Sequence, residues 1–221
     1  MFKRRSRIKH VLMHGESASA DKEAAKYCLK FQEFIETEGY RPQQIFNCEE
    51  TGLFWKRMPN RTYITKYEKS VPGHKPMKDR LTLLLGANAS GDMKLKPLLV
   101  YNSGNPRAIK KYSVIKSKLP EMWRSNQRAW VTQDLFKEWL FKAWAMNMKD
   151  ILDTNDLPLK ALLLLDNAPG HPKDLKDDLL TDFPWLTVQF LPPNTTSLIQ
   201  PMDQEVITAF KKLYTRALSV F

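Results

Sequence analysis

Four consecutive leucines, Leu162 to Leu165, run straight into Asp166, and the chain then breaks at Pro169 and Gly170 in the stretch LLLLDNAPGHP. A short run that is apolar at every position, with no alternation, suits a strand buried on both faces rather than one with a wet side. Such a strand requires cover above and below. It therefore points to a layered α/β fold, with the acid at its end emerging where the sheet opens to solvent. Two further acids stand in comparable settings: Glu49 after QIFNC, and Asp203 at the start of an amphipathic helix in IQPMDQEVITAF. Three carboxylates gathered at one sheet edge suggest a divalent-metal site for phosphoryl transfer. Two such ions about 3.5–4 Å apart activate the attacking oxygen and stabilise the leaving one, and carboxylate oxygens are the hard ligands that Mg²⁺ demands. The three acids are far apart along the chain, so only folding can assemble them.

The rest of the chain supplies matching elements. A helix-like stretch runs from Lys22 to Glu38, stops at Gly39 and Arg41-Pro42, and carries Phe31, Phe34 and Ile35 as an apolar face for docking. QIFNC reads as a strand ahead of a turn EETG. LTLLLGAN and LKPLLVYN read as a hairpin across ASGD, with Gly91 and Asp92 as turn residues. LPEMWRSNQRAW reads as a connection. Thr132 is a suitable cap for the helix QDLFKEWLFKAWAMNM, on which Leu135, Trp139, Ala143 and Met146 share a face broadened by Phe136, Leu140 and Trp144. After KALLLLD, Pro172 suits the first turn of the helix PKDLKDDLLTDF. LTVQFLPPN is a further strand, and the last helix sets Val206, Phe210, Leu213, Ala217 and Val220 on one side.

At 221 residues and 43% hydrophobic content the chain can bury a full core, which excludes a disordered tail. Its net charge of +11 favours a polyanionic partner. The excess is uneven: between Lys56 and Arg80 eight basic residues (Lys56, Arg57, Arg61, Lys66, Lys69, Lys75, Lys78, Arg80) face only Glu68 and Asp79. Trp55, Tyr63 and Tyr67 are interleaved with them. The run KRRSRIK, Lys3 to Lys9, is a weaker candidate for a nuclear-import or DNA-contacting arm. Cys28 and Cys48 form no CxxC pair, so neither a zinc site nor a disulfide framework is indicated, and a reducing intracellular compartment is expected. No stretch approaches the roughly 20 apolar residues of a membrane helix.

The segments IFNCEETGLFWKRMPNRTYIT, KDRLTLLLGANASGDMKLKPLLVY, LLLLDNAPGHP and FLPPNTTSLIQPMDQEVI resemble, in order and almost without gaps, the DDE domain of Tigger transposable element-derived proteins of the pogo group. The resemblance runs from about Ser17 nearly to the end. It implies an RNase H-like α/β fold, a mixed sheet flanked by helices. It also implies a catalytic acidic triad with Mg²⁺ or Mn²⁺, DNA as partner through its backbone phosphates, and a nuclear location. Residues 1–40 then correspond to the trailing edge of a CENP-B-type helix-turn-helix region plus a linker helix. Residues 41–221 form the endonuclease domain, and whether it is cut short at its C-terminus stays open.

Carried over position by position, the triad falls on Glu49, Asp166 and Asp203 as catalytic and metal-binding residues. The DNA-contacting candidates are Lys56, Arg57, Arg61, Lys66, Lys75, Lys78 and Arg80. Two positions depart from the family pattern. Glu49 stands where the family has Asp, and its extra methylene shifts the carboxylate by on the order of 1 Å, more than a precise site tolerates. Glu205 stands where the pattern QPMDQGVI has glycine, and is expected to add helix propensity, bulk and negative charge beside Asp203. These departures favour a DNA-binding domain whose strand cleavage is impaired. A residually active Mg²⁺-dependent nuclease and a decayed copy without selected function remain as alternatives. For His171 the residues favour a structural hydrogen bond in its loop over contact with a substrate. Packing is the expectation for Trp55, Trp123 and Trp130, and plain burial for Cys48.

Overall fold

A computed structural model of the chain describes residues 17–55, 79–175, 182–193 and 199–218. Its centre is a six-stranded sheet built from β1 (Ile45–Leu53), β2 (Leu81–Asn88), β3 (Leu98–Tyr101), β4 (Met122–Ser125), β5 (Ala161–Leu165) and β6 (Leu186–Phe190), in the order β4-β3-β2-β1-β5-β6. The pairings β1/β2 and β2/β3 are antiparallel, whereas β1/β5, β3/β4 and β5/β6 are parallel. Five strands therefore run one way and β2 runs against them. The carboxyl ends of β1, β3, β4, β5 and β6 share one edge of the sheet.

All five residues of β5 are buried. Ala161, Leu163 and Leu165 enter the large core of one face, while Leu162 and Leu164 enter a smaller cluster on the other with Tyr40 and Ile45. The alternation of strand side chains divides the leucine run between two cores, so every position had to be apolar. Phe31, Phe34 and Ile35 of α1 (Ser17–Glu38) pack on the smaller cluster. The larger face is covered by α3 (Gln133–Trp139), a π-turn (Leu140–Ala145) and α4 (Met146–Thr154). Phe46 meets Trp144 edge-on at 5.2 Å there, and the Trp139 indole donates to the Lys96 carbonyl at 2.7 Å. The short helix α2 (Arg107–Lys111) lies between β3 and β4.

The expected hairpin is present, with Gly91 at φ +75° in its connection. Thr132 caps α3 by accepting from the Leu135 amide. Several expectations give way. The strand does not end before EETG: β1 continues to Leu53 because β2 pairs it along its whole length, with Glu49 opposite Leu85 and Glu50 opposite Leu84. The supposed connection LPEMWRSNQRAW contains β4, a four-residue strand stabilised by its ladder to β3 rather than by any apolar period of its own. The helical face also differs. The π-turn inserts extra chain per turn and shifts the phase, so Met146 is 66% exposed while Met148 is fully buried.

In the last helix, α5 (Ile207–Leu218), Ile207 is buried, Tyr214 donates to the Trp55 carbonyl and Leu213 is exposed, as is Val206 just before the helix. Val220, and the helix expected after Pro172 beyond Leu175, fall outside the described residues as far as Thr181.

Candidate acidic site at the carboxyl edge of the sheet

The β1/β5 ladder runs Ile45↔Leu162, Phe46↔Leu163 and Asn47↔Leu164, then opens. Continued by two residues, the same register sets Glu49 level with Asp166 on the neighbouring strand. Strand alternation puts Asn47 and Glu49 on one face of β1 and Cys48 and Glu50 on the other. Cys48 is fully buried in the large core, as its small apolar character suggested.

Asp166 is held by its own loop. Its Oδ1 accepts from the Ala168 amide at 3.0 Å and faces His171 Nδ1 at 2.7 Å. The imidazole, 2% exposed and tilted against Phe136 with ring centres 4.6 Å apart, turns Nε2 toward Glu50 Oε1 at 3.4 Å, a charge contact too long for a hydrogen bond. Gly170 keeps this turn tight, since a Cβ there would stand 3.3 Å from both Glu50 Oε1 and the Val131 carbonyl. Burial works against charging His171, but Asp166 and Glu50 outweigh it and raise its pKa to about 10. Burial also works against ionising Asp166, yet His171 and the Ala168 N–H hold that carboxyl below its ordinary value.

Glu49 has no such cation. Its pKa is pushed up to about 8, chiefly by burial and then by Asp166, with Gln200 opposing and Glu50 and Asp203 adding. Asp203 is raised by burial and by Asp166, against a lowering by Lys211. Glu49 thus senses the charge of Asp166 and Asp203, and Asp203 that of Asp166, as like charges brought close do.

Two buried amides connect these acids, and sequence reasoning missed both. Asn47 donates to the Leu164 carbonyl at 3.1 Å and to Gln200 Oε1 at 3.2 Å, and its Oδ1 accepts from the Met202 amide at 3.0 Å. Gln200 Nε2 donates to Glu49 Oε2 at 2.5 Å. The segment bearing Asp203 is thereby tied to β1. Nothing in the sequence marks these amides, because their partners lie more than 100 residues away.

Glu205 corrects an expectation. It adds no helix there: it sits at φ +67° in a kink before α5, in the left-handed region that favours glycine. The family's glycine at this position has its reason in the backbone.

The family described as DDE superfamily endonuclease matches residues 78–220. This chain belongs to that family. The human Jerky protein homolog is 36% identical over 214 residues, covering 96% of this chain and 36% of that protein. Human Tigger transposable element-derived protein 7 is 33% identical over 201 residues, 89% of this chain and 36% of that protein. The chain therefore spans about a third of the length of these curated relatives.

Among solved structures, the Mos1 transposase paired-end complex with left transposon end superposes at a TM-score of 0.58 with 13% identity, covering 93% of this chain and 52% of that one. The Mos1 mariner paired end complex with Mn gives 0.58, 13%, 94% and 53%. The sheet of this DDE endonuclease domain is RNase H-like, as the resemblance implied.

Divalent metal use is implied for the DDE family, and the three carboxylates have the right donor chemistry for Mg²⁺ or Mn²⁺. Their arrangement does not fit a ready three-carboxylate centre. Among the described residues no group of three or more His, Cys, Asp or Glu side chains is set to hold a metal ion, and Glu49 already spends Oε2 on Gln200.

Of the DNA-contacting candidates in this DDE domain, Lys56, Arg57, Arg61, Lys66, Lys75 and Lys78 lie outside the described residues, as does the Lys3 to Lys9 arm. Arg80 is described. It crosses β1 at Gly52, where a Cβ would stand 3.1 Å from Arg80 Cδ, and its guanidinium lies 5.6 Å from the Trp130 ring centre. Arg80 divides two adjoining clefts of about 190 and 280 Å³, the first reaching Glu50 and Ala168, the second reaching Arg128.

Trp55 and Trp123 pack edge-on against Tyr101, but Trp130 is 54% exposed, against the expectation of packing. The Asn126 side chain bonds both the amide and the carbonyl of Trp130, and Ala129 before it holds φ +51°, so the indole stands on a rigid turn.

Proposed function

We propose that this chain is a transposase-derived, DNA-binding domain whose metal-dependent strand cleavage is impaired at Glu49. The observations that support this reading are the electrostatic coupling of Glu49 to Asp166 and Asp203 at the sheet edge, and the Arg80–Trp130 contact in a cleft that reaches Ala168 and Glu50, on the other face of β1 from Glu49. A duplex laid along that edge has its phosphates against Arg80 and Arg128, with the flat face of Trp130 available for sugar or base contact. Residues 56–78 continue the positive charge in sequence. The family relationship to transposases favours DNA over other polyanions and a nuclear location.

Within the site, Asp166 and Asp203 are the positions for Mg²⁺ or Mn²⁺, which in such centres activates the attacking oxygen and stabilises the leaving one. His171 and the Ala168 amide both engage Asp166 Oδ1 and so fix the direction in which its other oxygen points. Glu49, held by Gln200, is the corner that does not fit.

Two measurements test this reading. Duplex affinity, followed in EDTA across a salt series, is expected to fall steeply with salt, and Arg80→Ala to reduce the log–log slope by about 1. An affinity indifferent to salt would end the DNA-surface proposal. Nicking in Mg²⁺ or Mn²⁺ is expected to be weak in the wild-type chain, gained in Glu49→Asp and lost when Asp166→Ala is added. Robust wild-type nicking that Glu49→Asp does not improve would instead establish a competent nuclease.

A further inference from the structure

The Glu49–Gln200 contact has geometry of its own. Gln200 is fully buried, and its amide is spent on β1: it accepts from Asn47 Nδ2 at 3.2 Å and donates to Glu49 Oε2 at 2.5 Å, with the Cys48 carbonyl at 3.5 Å. The Gln200 carbonyl accepts from the Asp203 and Gln204 amides at 3.1 and 3.2 Å, which starts the turn that presents Asp203. Asn47, 5% exposed, joins the same amide to β5 through Leu164 and to Met202. Glu49 is therefore one end of a hydrogen-bonded chain that crosses β1, β5 and the 200–203 segment at the place where the β1/β5 ladder opens.

The reach of this chain depends on the glutamate. An aspartate at position 49 withdraws the carboxylate by about one carbon–carbon bond, roughly 1.5 Å, which lengthens the contact to about 4 Å and breaks it. We propose that Glu49 is a structural clasp rather than a metal ligand: it closes β1 onto the Asp203 segment, the task a bridging cation performs in a three-carboxylate centre, so that the domain folds without divalent metal. The inference rests on the acidic edge being the family's site and goes beyond it by giving Glu49 a different role. A cation binding through Oε2 would compete for that oxygen with the fully buried Gln200 amide.

The test is thermal unfolding of the full 221-residue chain in EDTA and in millimolar Mn²⁺, comparing wild type with Glu49→Gln and Glu49→Asp. Wild type is expected to melt at the same temperature in both buffers. Glu49→Gln keeps the length and an acceptor for Gln200, and is expected to melt no lower than wild type in EDTA. Glu49→Asp in EDTA is expected to melt about 2–4 °C lower, the shift that corresponds to one lost hydrogen bond in a chain of this size.

Two results overturn the clasp. One is a wild-type melting temperature that rises with Mn²⁺ and loses that rise in Glu49→Gln, which makes Glu49 a ligand. The other is a Glu49→Asp chain as stable in EDTA as wild type. Should Glu49→Asp fail to fold, the Mn²⁺ response of wild type against Glu49→Gln decides alone. DNA affinity measured in EDTA is independent of both outcomes, so loss of the clasp and loss of the DNA reading are told apart.

Discussion

Asp166, just past the carboxyl end of β5, stands level with Glu49 in the middle of the adjacent parallel strand β1, yet the two are held in opposite electrostatic states. Asp166 has a buried imidazole at 2.7 Å and a backbone amide at 3.0 Å, and its carboxyl stays below its ordinary value despite burial. Glu49 has burial, three neighbouring acids and one neutral amide, and rises to about 8. The difference teaches that depth alone does not set the charge of an acid at a sheet edge. A single cation on one side of the pair decides which corner is ionised at neutral pH and which holds its proton.

Removing that cation is the most direct way to break the contrast. His171→Ala leaves Asp166 buried without its charge partner, and is expected to cost about 3 kcal/mol of folding stability, read from denaturant unfolding at pH 7. A loss under about 1 kcal/mol would mean that Ala168 and solvent alone keep Asp166 ionised.

The other corner is sharpened by pH. Glu49 titrates higher in the folded chain than its ordinary 4.5, so folding retains a proton that the unfolded chain releases, and stability falls as pH rises from about 4.5 through about 8. His171 is also raised, from 6.5 to about 10, so its contribution is complete below 6.5 and is lost as pH climbs through about 10. Between pH 5 and 6.5 the unfolded His171 only begins to lose its proton, and Asp203, also raised, adds to the effect, so Glu49 is the main source of the decline but not its sole one. Glu49→Gln is expected to remove a decline of about 2 kcal/mol across that window. Parallel pH profiles for the two proteins would place Glu49 in an ordinary, solvated setting.

The smallest effect concerns the third corner. Glu205→Gly relieves a left-handed residue two positions after Asp203, and is expected to stabilise the chain by about 1 kcal/mol in denaturant unfolding. A neutral or destabilising outcome would show that the kink relaxes around glutamate at no cost.

These corners also show which parts of the chain were readable in advance. The leucine run announced β5 and the acid after it, because a strand buried on both faces leaves no polar position. Thr132 and Gly91 announced a cap and a turn, since both act within a few residues. β4 was not readable: Met122 to Ser125 form a strand only because β3 offers a free edge. Nor was the phase of the helix over β1, which a π-turn resets between Leu140 and Ala145.

The sequence by itself determined the layered α/β fold and the family, and singled out three acids as candidates, because burial pattern, local turn chemistry and motif order are all written along the chain. Tertiary structure alone decided the state of those acids. His171 was visible, but not that Asp166 and Glu50 would both face it. Gln200 and Asn47 were unremarkable polar residues until folding brought them to Glu49, and the left-handed backbone at Glu205 exists only where the Asp203 segment turns into α5. The physical reason is that hydrogen bonds and desolvation depend on separations of a few ångströms between groups that the sequence keeps more than 100 residues apart.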